Sequence, residues 1–126
     1  MLARAVLLFH AAVFLACAAL FIGNTQAGAA YVEVATPTPG ARIDFRATYG
    51  GFCLATGLLL VWAGRRPDWT APVLAALGLI LASLAGVRLL GIGLEGVAAT
   101  PAAMWVFLAV ESAGATASWF AYRALH

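Results

Sequence analysis

The chain has 126 residues, 64% of them hydrophobic and 10% charged, with a formal net charge of +2. Soluble domains carry about 25% charged residues, so a water-soluble globule is excluded for want of a polar coat. All seven basic residues are arginine and they are scattered, which excludes a nucleic-acid-binding surface.

The predicted fold class is all-α: an integral membrane four-helix bundle, one membrane domain over residues 1–126, with both termini cytoplasmic. The first span is expected over residues 5–22. Arg4, the apolar run and Ala27-Gly28-Ala29 resemble a signal peptide, but the run is longer than an ordinary h-region, so a retained span is expected. Residues 23–45 form the one long connection, expected outside. Pro37, Pro39 and Gly40 interrupt regular structure there, and Tyr31-Val32-Glu33-Val34 alternates as a short strand would. Connections of this length are often lids or binding loops.

The second span is expected over residues 46–64, with Asp44 as N-cap and Gly64-Arg65-Arg66-Pro67 as its stop. The third is expected over residues 70–90, capped by Thr70, with Pro72 in the first turn. Thr100-Pro101 opens the fourth, over residues 102–122. Each is near the ~20 residues that cross a ~30 Å hydrocarbon core. Trp62, Trp69, Trp105, Trp119 and Tyr122 fall towards span ends, as interfacial aromatics do. With the N-terminus inside, Arg4, Arg65, Arg66 and Arg123 are cytoplasmic and only Arg42 and Arg46 are outside, which sets the orientation.

Gly78, Ala82 and Gly86, and likewise Ala113, Ala117 and Ala121, recur every four residues. Such rows let helices approach closely, so helices three and four are expected to pack through them, and Gly86→Leu to destabilise by roughly 1–3 kcal/mol. Gly50 and Gly57 share one side of helix two.

Glu111 lies near the middle of the fourth span and Arg88 near the end of the third. Charges at such depth persist with a partner or in a water-filled cavity. Cβ atoms lean towards the N-terminus of their helix, so on oppositely directed helices the two side chains converge. A direct or water-bridged Arg88–Glu111 pair is therefore expected. Arg46, Tyr49, Gly50 and Cys53 share a stripe on helix two, with Arg46 and Tyr49 lining the same outer mouth. Arg46, Tyr49, Arg88 and Glu111 are the candidate site residues, as a ligand-binding site or as a structural polar site that fixes helix register.

Other motifs carry less. Gly91-Ile92-Gly93-Leu94-Glu95-Gly96 matches GxGxxG but ends an apolar helix, so it lacks the strand-to-helix context of dinucleotide binding. His10 is the one histidine within a span and is expected to bond a neighbouring helix. Cys17 and Cys53 form no CxxC and are expected as small packing residues. No cluster has metal-ligand spacing, and no metal or cofactor is expected.

Arg46-Ala47-Thr48-Tyr49-Gly50-Gly51, then Gly86-Val87-Arg88-Leu89-Leu90-Gly91, then Glu111 resemble the bacterial membrane family called domain of unknown function 4345. The resemblance implies a similar size, four spans, an R-x-x-Y-G-G start to helix two, a G-x-R step in helix three and a glutamate in helix four. It implies no activity.

Three functions compete. The first is a bundle in the inner membrane that binds a lipid-like or small amphipathic ligand at the polar site. An isomerase-like enzyme with Glu111 as acid–base group is its special case. The second is an accessory subunit of a larger membrane complex. The third is a small proton-coupled exporter working as a homodimer around Glu111. The expected partners are thus the lipid bilayer and a lipid-like ligand, or a membrane protein or second copy, and no nucleic acid.

Overall fold

The computed structural model describes residues 1–126. All regular structure is helical. We number the helices α1 (Leu2–Gly23), α2 (Thr25–Tyr31), α3 (Pro39–Ala63), α4 (Pro67–Glu95) and α5 (Ala102–Arg123), with a 3₁₀ turn at Val97–Ala99 before α5. By length and composition α1, α3 and α4 can each cross a membrane, with 22, 25 and 29 residues and mean hydropathies of 2.6, 1.2 and 2.3. At 1.5 Å per residue α4 is about 43 Å long, more than a ~30 Å hydrocarbon core requires. Helix α5 has 22 residues but is not among these three, because Glu111, Ser112, Thr116 and Ser118 lower its apolarity.

The chain divides into two compact units, residues 7–65 and residues 1–6 with 66–126.

In the first unit, α1 and α3 run antiparallel in a regular register. Gly50 meets Ile22, Gly57 meets Leu15 and Gly64 meets Leu8. Both series step by seven residues, so each contact recurs after two turns on the same face. A Cβ at Gly57 would lie 2.7 Å from Leu15 Cγ and 3.3 Å from the Leu15 backbone nitrogen, so only glycine permits this approach. Between the glycine layers, Cys53 joins Ala18, Phe21, Ala29 and Phe45 in one buried cluster, with Cys17 packed against it. Both thiols are thus packing residues.

The connection between α1 and α3 is helical where a strand or loop is expected. Asn24 caps α2, its side chain accepting from Ala27 N–H. The exit of α2 is closed by Glu33 N–H donating to Ala30 C=O and Val34 N–H to Ala29 C=O. This is a Schellman closure, with Glu33 rather than glycine in the left-handed region at φ 58°. Val34 packs on the buried cluster. The alternation at residues 31–34 therefore marks a helix exit folded onto a core.

Helix α3 also starts earlier than residue 46. Thr38 Oγ1 accepts from Ala41 N–H at 3.1 Å and Pro39 takes the first turn, where a missing N–H costs nothing. Asp44 is inside the helix and is not its cap. Arg46–Gly51 forms a π turn within α3. The extra residue of that turn lets Phe45 and Gly50, five positions apart, both face α1. Phe45 lies 5.4 Å from Phe21 between ring centroids, and Gly50 touches Ile22.

In the second unit, α4 and α5 are antiparallel. Pro67 opens α4, and Thr70 Oγ1 donates back to Arg66 C=O instead of capping. The glycines at 91 and 93 stay inside the helix, which ends at Gly96 with φ 95°. That conformation is open to glycine and strained for other residues. Thr100 Oγ1 donates to Gly96 C=O at 2.9 Å and ties the turn. Leu74, Leu77, Leu81, Ala85 and Ile92 of α4 are buried, as are Glu111, Gly114, Ser118 and Ala121 of α5.

The small-residue rows need correction. Gly78 meets Ser118 and Ala115, so the close face of α5 carries Gly114, Ala115, Ser118 and Ala121. Ala113 is exposed, as are Ala82 and Gly86, and nothing lies within 4 Å of a Cβ placed on Gly86. Spacing by four drifts around a helix, whereas the observed face follows spacings of three and four.

Candidate functional site

The site is built on α4 and α5 near their shared turn. Arg88 is seven residues before the end of α4 and Glu111 nine after the start of α5, placing both about 10–13 Å from their helix ends. Opposed helix directions aim the side chains at each other. Arg88 Nη2 donates to Glu111 Oε1 at 2.6 Å, and Nε donates to Oε2 at 2.9 Å. This two-bond fork is the strong form of the arginine–carboxylate contact. The side chains retain 25% and 12% of their exposure.

The rest of the guanidinium is held by α5 as well. Nη1 lies 3.3 Å from Met104 Sδ, and Cζ sits 5.1 Å from the centre of the Phe107 ring. Met104, Phe107 and Glu111 fall on one stripe of α5, so a single arginine grips two turns of the facing helix. Neither Met104 nor Phe107 stands out in the sequence. Their spacing from Glu111 was readable, but apolar residues at helical spacing also mark any packed face.

An open cleft of about 360 Å³ adjoins the pair, lined by Arg88, Gly91, Ile92, Glu95, Thr100 and Met104 among others. A larger cleft of about 550 Å³ lies towards the other end of the same helices, by Leu74, Gly78, Ala115, Trp119 and Tyr122. It has no charged group, whereas the smaller cleft carries Arg88 and Glu95. Ser118, beside the Gly78 crossing, is fully buried and its Oγ has no hydrogen-bond partner.

Arg46 and Tyr49 belong to the unit of residues 7–65. Arg46 Nε donates to Ile22 C=O at 3.3 Å, satisfying a carbonyl at the end of α1. Tyr49 stacks on Phe45 at 4.6 Å and meets Phe21 edge-on at 6.2 Å. The structure thus brings Arg88 and Glu111 together, and places Arg46 and Tyr49 at the end of α1. His10 is buried, with Phe9 edge-on at 5.4 Å. No group of three His, Cys, Asp or Glu side chains is arranged to hold a metal ion.

A bidentate ion pair beside a small open cleft, within apolar helices, can fix helix register and can present donors to a bound polar group. No curated protein and no solved structure matches the chain significantly. One family model does match, over residues 2–122, and it covers the R-x-x-Y-G-G step, Arg88 and Glu111 alike. The chain belongs to that family, described as a domain of unknown function (DUF4345).

Proposed function

We propose that this chain is a multi-pass protein of the bacterial inner membrane that holds a lipid-like or small amphipathic ligand at the cleft beside Arg88 and Glu111. One observation carries the reading: a charged pair of limited exposure borders a cleft lined by Arg88, Glu95, Thr100 and Met104. Small-ligand sites are largely apolar hollows with a few placed polar groups, typically of ~300–1,000 Å³. In this reading Arg46 and Tyr49 are the structural part of the polar set, holding α3 to the end of α1.

The proposal includes α5 as a fourth span. Its one central charge is neutralised by Arg88, so the isolated hydropathy of α5 understates its fit to a bilayer. Both termini are then cytoplasmic. A cysteine probe at residues 36–40 should react with an impermeant reagent added outside, and one at 65–68 should be spared. The reverse pattern would overturn the orientation. The ligand reading is tested by native mass spectrometry of the protein extracted with its own lipids. A discrete co-purifying amphiphile, lost in Arg88→Leu/Glu111→Leu, supports it. The same lipid profile in both proteins counts against it.

The charge-free cleft along Gly78 and Trp119 favours a second reading, an accessory subunit that packs on a larger membrane protein. Crosslinking from cleft positions in native membranes would trap such a partner, and a monomer-only result would reject it.

A further inference from the structure

The donor inventory of Arg88 narrows the chemistry of the ligand, on the footing of the binding site just proposed. A guanidinium has five N–H groups. Two are taken by Glu111, and one points at the sulfur of Met104. Thioether sulfur is a weak acceptor, so that contact holds Nη1 in place without satisfying it. The other N–H groups, one on Nη1 and one on Nη2, bind no protein acceptor. Arg88 therefore offers the cleft a pre-positioned donor that the fold has left underused.

The charge of the site selects against ions. Glu111 already neutralises Arg88 through two short bonds, and Glu95 lines the same cleft. Taken together the three groups carry one excess negative charge. An anionic head would meet a guanidinium whose charge Glu111 already offsets, and would approach the Glu95 carboxylate. A cationic head would leave the Nη1 donors unused and face the guanidinium. An uncharged head with a carbonyl oxygen meets neither penalty and supplies the acceptor that sulfur does not. Thr100 has committed its proton to Gly96 C=O, so its oxygen remains an acceptor for a hydroxyl on the same head. At about 360 Å³ the cleft admits a head group, with any tail left in lipid.

We infer that the cleft binds a neutral carbonyl-bearing lipid, its carbonyl oxygen accepting from Arg88 Nη1 above Met104. The test uses a tritiated decyl-substituted benzoquinone and the full chain in zwitterionic nanodiscs, corrected for partition into empty discs. Competitors of the same tail length are the dimethoxybenzene analogue, which lacks carbonyls, and decyl phosphate and decyltrimethylammonium. The quinone should bind saturably, and none of the three should displace it.

One variant then isolates the acceptor step. Met104→Gln places an amide oxygen at Nη1 as an internal competitor. It should weaken quinone binding by at least about ten-fold, the scale of a hydrogen bond to a charged group, with elution and melting unchanged. Unchanged affinity in Met104→Gln would overturn the inference. So would displacement by the phosphate or ammonium probe, which would leave an amphiphile site of another class. Failure of every probe to bind above empty discs would overturn the binding site itself.

Discussion

Along α1 and α3 a glycine meets a large aliphatic side chain every seven residues, at Gly50, Gly57 and Gly64. Along α4 and α5, Gly78 crosses small residues instead, Ser118 and Ala115, and the Arg88–Glu111 fork follows. Helices in lipid gain little from the hydrophobic effect and associate through close packing and polar contacts. The first pair spreads that association over repeated layers of similar kind. The second concentrates it in one contact of a different kind. A repeated layer can be lost with local consequences. Loss of half a charged pair leaves an unmatched charge, a cost that no single layer of the first pair carries.

The comparison breaks most sharply at the ion pair. Arg88→Leu and Glu111→Leu should each destabilise by about 3–5 kcal/mol, because the surviving partner is left uncompensated. The double change should recover part of that loss. Denaturation in mild detergent, read by size exclusion and circular dichroism, gives all three values. Additive losses in the double variant would show that the two residues do not act as a unit.

Next comes overpacking of a glycine layer. Gly57→Leu should cost roughly 1–3 kcal/mol, since even its Cβ collides with Leu15. Gly86→Leu should stay within about 0.5 kcal/mol, because that position is open. Equal effects at the two sites would mean that the glycines of α3 are not what sets the α1–α3 distance.

Two smaller changes should stabilise. Ser118→Ala removes a buried hydroxyl without a partner and should gain about 1 kcal/mol in melting experiments. A loss instead would show that the hydroxyl serves the Gly78 crossing. Glu33→Gly relieves a left-handed backbone and should gain about 0.5–1 kcal/mol. A loss there would place the value of Glu33 in its side chain.

How far the sequence could be read follows the same division. The long helices and the Arg88–Glu111 pair were legible because apolar length and a misplaced charge are both strong local signals. The packed face of α5 was legible only at Ala121, since alanines at 113 and 117 look as suitable as Gly114 and Ser118 until a neighbour selects between them. The exit of α2 was hidden because Glu33 occupies a backbone region usually marked by glycine. The early start of α3 was written in Thr38-Pro39, a cap and first-turn proline, yet proline beside Pro37 and Gly40 also reads as a loop. Arg46 and Tyr49 were chosen as part of a ligand-binding or structural polar set, and their local partners, Ile22 C=O and the Phe45 ring, could not be read from the stripe they share.

The π turn at Arg46–Gly51 makes α3 a helix with two phases. Before it, the inward position is Phe45; Gly50 faces inward within it, and Cys53, Gly57 and Leu60 do so after it. Deleting any single residue between 46 and 49 would bring Phe45 and Gly50 to the four-residue spacing of an ordinary α-helix, at which both still face α1 at 3.6 residues per turn. Phe45 would stay on the side of Phe21, and the π turn would close into regular helix. A one-residue gap at this point in a related sequence is therefore a length difference that α3 can absorb. The same gap between Cys53 and Gly57 would turn the two parts of α3 by about 100° against each other, and would mark a relative whose α1 contacts had to be rebuilt.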